Sequence, residues 1–203
     1  MTGRTTRRSI GAGVGALLVP APSYAHLVNT GLGPFYDGVS HFILTPEDLL
    51  PVLALAFLAG QRGSRAGRYT LFALPLAWLL GGLVGLALPT MRDMPALTAV
   101  SFMALGGLVA AEARVRPEWV CSLAAVLGVV HGYLNGSAMS QAKLGILGLG
   151  GIVSTLFMVV ALAAAMVVAI RVPWGRIAVR VAGSWIAAVG LLFLGWSLRT
   201  ATG

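Results

Sequence analysis

The run His131-Gly132-Tyr133-Leu134-Asn135-Gly136 closes an apolar stretch. One helical turn separates His131 from Asn135, so an imidazole and a carboxamide share one face. Strongly polar side chains in hydrocarbon are costly and normally face a bundle interior or a pore. Met139 extends this face if the helix continues. Gly128, Gly132 and Gly136 form an adjacent stripe on which a second helix can approach closely. A second stretch, Phe35 to Asp48, carries Asp37, His41, Glu47 and Asp48. Imidazole beside carboxylate suits a divalent ion such as nickel, cobalt, zinc or iron.

Part of the second stretch has another reading. Thr45-Pro46-Glu47-Asp48 is a helix start, with Thr45 as N-cap, Pro46 at the first helical position and Asp48 completing a capping box. Both acids also suit the positive end of the helix dipole. Capping accounts for Glu47 and Asp48 as well as ligation does, and one carboxylate can do both. His41 precedes the cap, between apolar Val39 and Phe42-Ile43-Leu44, and this placement predicts a functional role. Asp37 reads as a turn residue before Gly38. Pro51 removes a backbone donor and can bend the helix near the acids.

The elements that must position these groups are membrane helices. Of 203 residues, 58% are hydrophobic and 10% charged, with mean hydropathy +0.89. This composition is that of an all-α polytopic membrane protein in contact with the lipid bilayer. The formal charge of +8 would suggest nucleic acid in a soluble protein. Here the arginines lie in short loops between apolar segments, so they predict orientation and no nucleic-acid partner. The single cysteine, Cys121, excludes an intrachain disulfide and reads as a buried small residue.

Residues 1–25 read as a cleaved signal peptide: basic Arg4, Arg7 and Arg8, a short apolar run, then Ser23-Tyr24-Ala25. Cleavage makes His26 the new N-terminus, where amine and imidazole can chelate a metal together; the plainer reading is that His26 only follows the cut. Residues 26–203 then form one domain of six apolar segments, at about 46–60, 70–90, 95–113, 118–136, 143–170 and 178–198. The first is short and borrows Gly38–Leu44 as an interrupted or re-entrant lead-in. With the mature N-terminus outside a bacterial inner membrane, the inside loops hold Arg62, Arg65, Arg68, Arg114, Arg116, Arg171, Arg176 and Arg180. The outside holds Arg92, Lys143 and Arg199, as the positive-inside rule requires. Segments one and four then run in opposite senses and bring all three histidines to the outer half, as a three-plus-three inverted repeat would do.

The remaining marks read as structural. The five tryptophans, Trp78, Trp119, Trp174, Trp185 and Trp196, lie mostly near segment ends, where indoles anchor at the interface. Gly81-x-x-x-Gly85 and Gly145, Gly148, Gly150 and Gly151 read as packing notches. Pro75 and Pro89 can kink or end the second segment. Glu112 and Glu118 read as solvated charges. Enzyme classes find no support: no Gly-x-Ser-x-Gly turn is present, and a haem between His41 and His131 would need a ligand outside a regular helix. No nucleotide-binding loop occurs, so any transport is passive, potential-driven or proton-coupled.

Gly38-x-x-His41, Glu47 six residues later and the following apolar helix resemble the first-helix signature of the HupE/UreJ membrane proteins. His131-Gly132 with Gly136 resembles the family's second histidine motif. The resemblance covers the mature chain and implies a nickel or cobalt permease, or an accessory protein of hydrogenase or urease maturation. It implies a metal path through His41, Glu47 or Asp48, and His131, with Asn135 where a further histidine is expected. Phe42 replaces the signature's proline, Glu47 its aspartate and Asp48 its second histidine. The implied site is therefore rich in oxygen ligands, and copper or zinc stays open beside nickel and cobalt. No resident cofactor is expected; the metal is substrate or ligand. Two functions stand open, a permease and a non-transporting accessory protein that binds metal or an assembly partner. Self-association on the glycine faces is a further expectation.

Overall fold

The computed structural model describes residues 29–89 and 94–202. The segment expected to be a signal peptide, His26 and Arg92 lie outside the described residues. All regular structure among those described is helical. The helices are α1 (Pro34–Leu44), α2 (Pro46–Gln61), α3 (Ser64–Ala87), α4 (Pro95–Ala110), α5 (Pro117–Gln141), α6 (Gly145–Ala169) and α7 (Pro173–Thr202).

Proline opens α1, α2, α4, α5 and α7. Its fixed φ is preorganised for the first turn, and its missing N–H is one that no helical partner would have satisfied. Gly63 and Gly145, at φ 94° and 56°, turn the chain into α3 and α6. Pro51 and Pro75 sit inside α2 and α3 without ending either helix.

Four helices, α3, α5, α6 and α7, are long and apolar enough to cross a membrane. The lead-in expected before the first segment is a helix in its own right: α1 and α2 pass the same test as a pair, bent by 71° at Thr45. Sixteen-residue α4 is shorter, reaching about 24 Å against a hydrocarbon core of about 30 Å.

Glycine seams hold the bundle together. The α5 stripe lies directly on α3: a Cβ at Gly132 would stand 2.2 Å from the Trp78 carbonyl oxygen, and one at Gly136 2.0 Å from that of Gly82. Gly81 and Gly85 answer from α3 against Val129 and Tyr133. A second seam joins α1 to α6 through Gly38, Gly148 and Gly151, and a third joins α4 to α7 through Gly106, Gly183 and Gly190. Backbones this close gain dispersion contacts that larger residues would forbid, which matters where lipid supplies no hydrophobic drive between helices. Two expectations are corrected. Gly150 has open space around its Cα and makes no notch, and Gly145 serves the turn rather than packing. Trp119, Trp174, Trp185 and Trp196 are exposed, as anchors should be, whereas Trp78 is fully buried.

Candidate metal centre

Asp48, His131 and Asn135 meet in the bundle interior, 5%, 2% and 3% exposed. The α1–α2 break brings Asp48 there by placing it in the first turn of a new helix. The α3–α5 seam brings in the other two. Thr45 is the N-cap of α2 and Pro46 does open it, but no side chain caps this end. The capping-box reading of Asp48 is thus corrected. Its backbone N–H is satisfied by the Thr45 carbonyl at 3.1 Å, which leaves the carboxylate to reach across to α5.

That carboxylate is fully engaged. Oδ1 lies 3.0 Å from His131 Nδ1. Oδ2 accepts from Asn135 Nδ2 at 2.9 Å, and the same amide donates to the His131 carbonyl at 3.0 Å. Both acceptors need the NH2 of Asn135, which fixes the orientation of its amide. Asn135 Oδ1 then remains buried without a hydrogen-bond partner.

The other imidazole nitrogen fixes the proton count. Ser101 of α4 donates to the Thr98 carbonyl at 2.7 Å. Its oxygen therefore accepts from His131 Nε2, 3.3 Å away. With Nε2 protonated, one further proton sits between Nδ1 and Asp48, and the pair is neutral however that proton is shared. A neutral pair is what a buried site tolerates, since an isolated charge there would be far more costly.

Trp78 covers the imidazole face with ring centroids 5.7 Å apart, and Phe42 packs edge-on to the indole at 6.0 Å. Trp78 Nε1 has no hydrogen-bond partner. Trp78 and Ser101 are participants that sequence reasoning missed. Ser101 is one of few hydroxyls in an apolar segment, and that scarcity was the available signal. The signal that separated Trp78 from the interfacial tryptophans was its place well inside the 70–90 segment. Ser101→Ala is expected to weaken folding by about 1 kcal/mol, the net value of one hydrogen bond, and to free the His131 ring to turn. Thermal unfolding in detergent, and the line widths of the His131 ring signals in NMR spectra, would register these two effects separately.

His41 lies on α1, half-buried, and interacts with Asn135, Asp48 and Glu47. It is thus inside a helix, so the argument that it lay outside regular structure is corrected. Its Nδ1 is buried without a hydrogen-bond partner. Glu47 is half-buried in the first turn of α2 and acts electrostatically on His41. Asp37 belongs to α1 rather than to a turn, and accepts from Thr30 N and Oγ1 at 2.7 and 2.6 Å. Met139 continues the His131 face, fully buried, because α5 runs on to Gln141. Cys121 is half-buried.

Among the described residues, no three His, Cys, Asp or Glu side chains stand close enough together to hold a metal ion. Asn135 Oδ1 and His41 Nδ1 lack partners, and the Asp48–His131 proton occupies a position between an oxygen and a nitrogen donor. By helix rise, Asp48, Trp78 and His131 each stand about 20 Å from the arginine-bearing ends of α2, α3 and α5. The cluster therefore sits in the half of the bundle away from the arginines at the end of α2 and the starts of α3 and α5.

The family model described as "HupE / UreJ protein" matches residues 14–193 of this chain. No curated protein and no solved structure gives a match. With most of its length matched, the chain belongs to the HupE/UreJ family.

Proposed function

From membership in a family associated with nickel or cobalt transport and with urease or hydrogenase accessory roles, we propose that this protein is a membrane permease for a divalent transition metal. Nickel and cobalt are the first candidates, then copper and zinc. The observation that carries this reading is the buried Asp48–His131–Asn135 cluster at a helix break. Discontinuous helices in transporters free backbone and polar groups for a substrate at membrane depth. His41 receives the ion with Glu47 beside it. His131 Nδ1 and Asp48 bind it in place of their shared proton, and Asn135 Oδ1 supplies a neutral oxygen. His26 would add an outer ligand if the signal peptide is removed. So few strong donors bind moderately, as conduction requires.

The topology follows the same reading. In this reading the chain has six spans, counting α1–α2 as one and α4 as a short one, and by the positive-inside rule the arginine-rich loops face the cytoplasm of a bacterial inner membrane. The three seams support an inverted repeat of α1–α4 on α5–α7. Exchanging the halves carries the α3–α5 seam onto the α6–α1 seam, and the α4–α7 seam onto itself.

A second reading, metal binding without flux, is favoured by one feature. Thr155 and Ser184, polar groups of the last two helices, are bonded to the Gly151 and Arg180 carbonyls of their own helices. Radiometal uptake in an import-deficient host separates the readings, with nickel, cobalt, zinc and copper run together at matched expression. One metal should accumulate with wild type, and His41→Ala or His131→Ala should lower its uptake by about tenfold or more. Binding by purified protein without accumulation of any metal would assign the accessory role.

A further inference from the structure

The opposite end of the bundle holds a second concentration of polar chemistry. A cavity of about 670 Å³ is lined there by Arg62, Glu112, Arg114, Arg176 and Arg180, with Ile177 on its apolar side. We propose that this cavity is a binding site for a phosphate-bearing anion, and that an anionic phospholipid headgroup is its first occupant. This assignment stands apart from the metal reading.

Charge and geometry carry it together. Arg62 ends α2, Glu112 and Arg114 lie between α4 and α5, and Arg176 and Arg180 stand one turn apart on α7. Three separate segments thus deliver four guanidinium groups to one concavity against a single carboxylate. That carboxylate is already taken, since Glu112 pairs with Arg176 at 2.6 Å. Glu112 holds this position at φ 49°, a left-handed conformation that non-glycine residues rarely adopt. Arg180 Nε donates to the Ala110 carbonyl at 3.0 Å, which steadies its fork while the terminal nitrogens stay outside that bond. Arg62 Nε is buried without a hydrogen-bond partner.

Orientation in the membrane does not require this convergence. The positive-inside rule counts loop charges and is indifferent to where they point. Arg65, Arg68, Arg116 and Arg171 already serve it outside the cavity. Planar guanidinium forks match phosphate oxygens in pairs, and basic pockets between membrane helices on the cytoplasmic side hold lipid headgroups. The flank of α7 favours a lipid over a soluble phosphate. Trp174, Ile177 and Val181 are exposed there, an apolar surface for acyl chains beside the charged mouth.

The test uses the full chain purified in a neutral detergent. Native mass spectrometry would follow phosphatidylglycerol against phosphatidylcholine, with inorganic phosphate as competitor. Wild type should retain phosphatidylglycerol selectively. Arg176→Lys with Arg180→Lys keeps charge and orientation but removes both forks, and should weaken retention by about tenfold. Arg68→Gln with Arg116→Gln removes two charges outside the cavity and should change it by less than about twofold. Retention unaffected by millimolar phosphate identifies the lipid as occupant. Displacement by phosphate keeps the site but assigns it to a soluble phosphate-bearing ligand. Equal weakening in both double variants, or no preference for the anionic lipid with no binding of phosphate, overturns the proposal.

Discussion

Asp48→Asn is expected to lower metal uptake by about 10- to 100-fold while the protein still reaches the membrane. The substitution preserves shape and leaves an amide oxygen able to accept from His131. It removes the carboxylate charge that would compensate the cation. Asp48→Ala goes further, because it leaves a buried imidazole and a buried amide without their common partner. Losing one member of a buried pair costs about 3–5 kcal/mol, so this variant should also lose thermal stability and yield. Glu47→Gln is the control. Its carboxylate is half-exposed and has no direct bond to His131 or Asn135 among those found. Uptake should change by no more than about fivefold, the effect of about 1 kcal/mol from an exposed charge. Side-by-side uptake at matched expression checks the order. Equal loss for Glu47→Gln and Asp48→Asn would show that the two acids act as one charge cloud, and that the assignment to Asp48 is wrong.

The second large effect lies in the α3–α5 seam. Gly132→Val should abolish recovery of folded protein in mild detergent, and Gly136→Ala should lower its melting temperature sharply. At both positions the obstacle is backbone: the Trp78 carbonyl oxygen 2.2 Å from a new Cβ at residue 132, and the Gly82 carbonyl oxygen 2.0 Å from one at residue 136. A flexible side chain could turn away, but a carbonyl inside a helix moves only with its helix. Overpacking costs about 1–3 kcal/mol per site, and separating α3 from α5 also pulls Trp78 off His131. Gly107→Ala and Gly150→Ala meet nothing within 4 Å and should shift stability by about 0.5 kcal/mol or less. Size-exclusion profiles and thermal unfolding of the four variants give the comparison. Ordinary behaviour of Gly132→Val would mean that the seam is looser than described.

Much of this architecture is a property of the chain's local chemistry. Apolar runs bounded by proline and glycine determine where helices begin and end, because a missing N–H or a left-handed turn acts within one or two residues. The expected segments accordingly correspond one to one with α2 to α7, although single ends differ, as at residue 70 against Ser64 and residue 136 against Gln141. The helical period alone put His131, Asn135 and Met139 on one face beside the glycine stripe. The two histidine motifs pointed to the family, since their residues lie close together along the chain.

The tertiary structure decided which of several chemically equivalent residues meet. Glu47 and Asp48 are adjacent acids in one first turn, and sequence alone left both as caps or ligands. A rotation of about 100° per residue turns Asp48 inward to His131 and Asn135 and leaves Glu47 to the side. Trp78 and Trp119 are alike as residue types, but Trp78 lies well inside its segment and Trp119 in the first turn of its own. Only the close approach of α3 to α5 buries the first beside His131 and leaves the second outside. Ser101 enters the cluster from α4, 30 residues from His131 in sequence, and the arginine cavity gathers three segments in the same way. Burial, proton sharing and pairing are properties of distances between segments, and no local pattern encodes them.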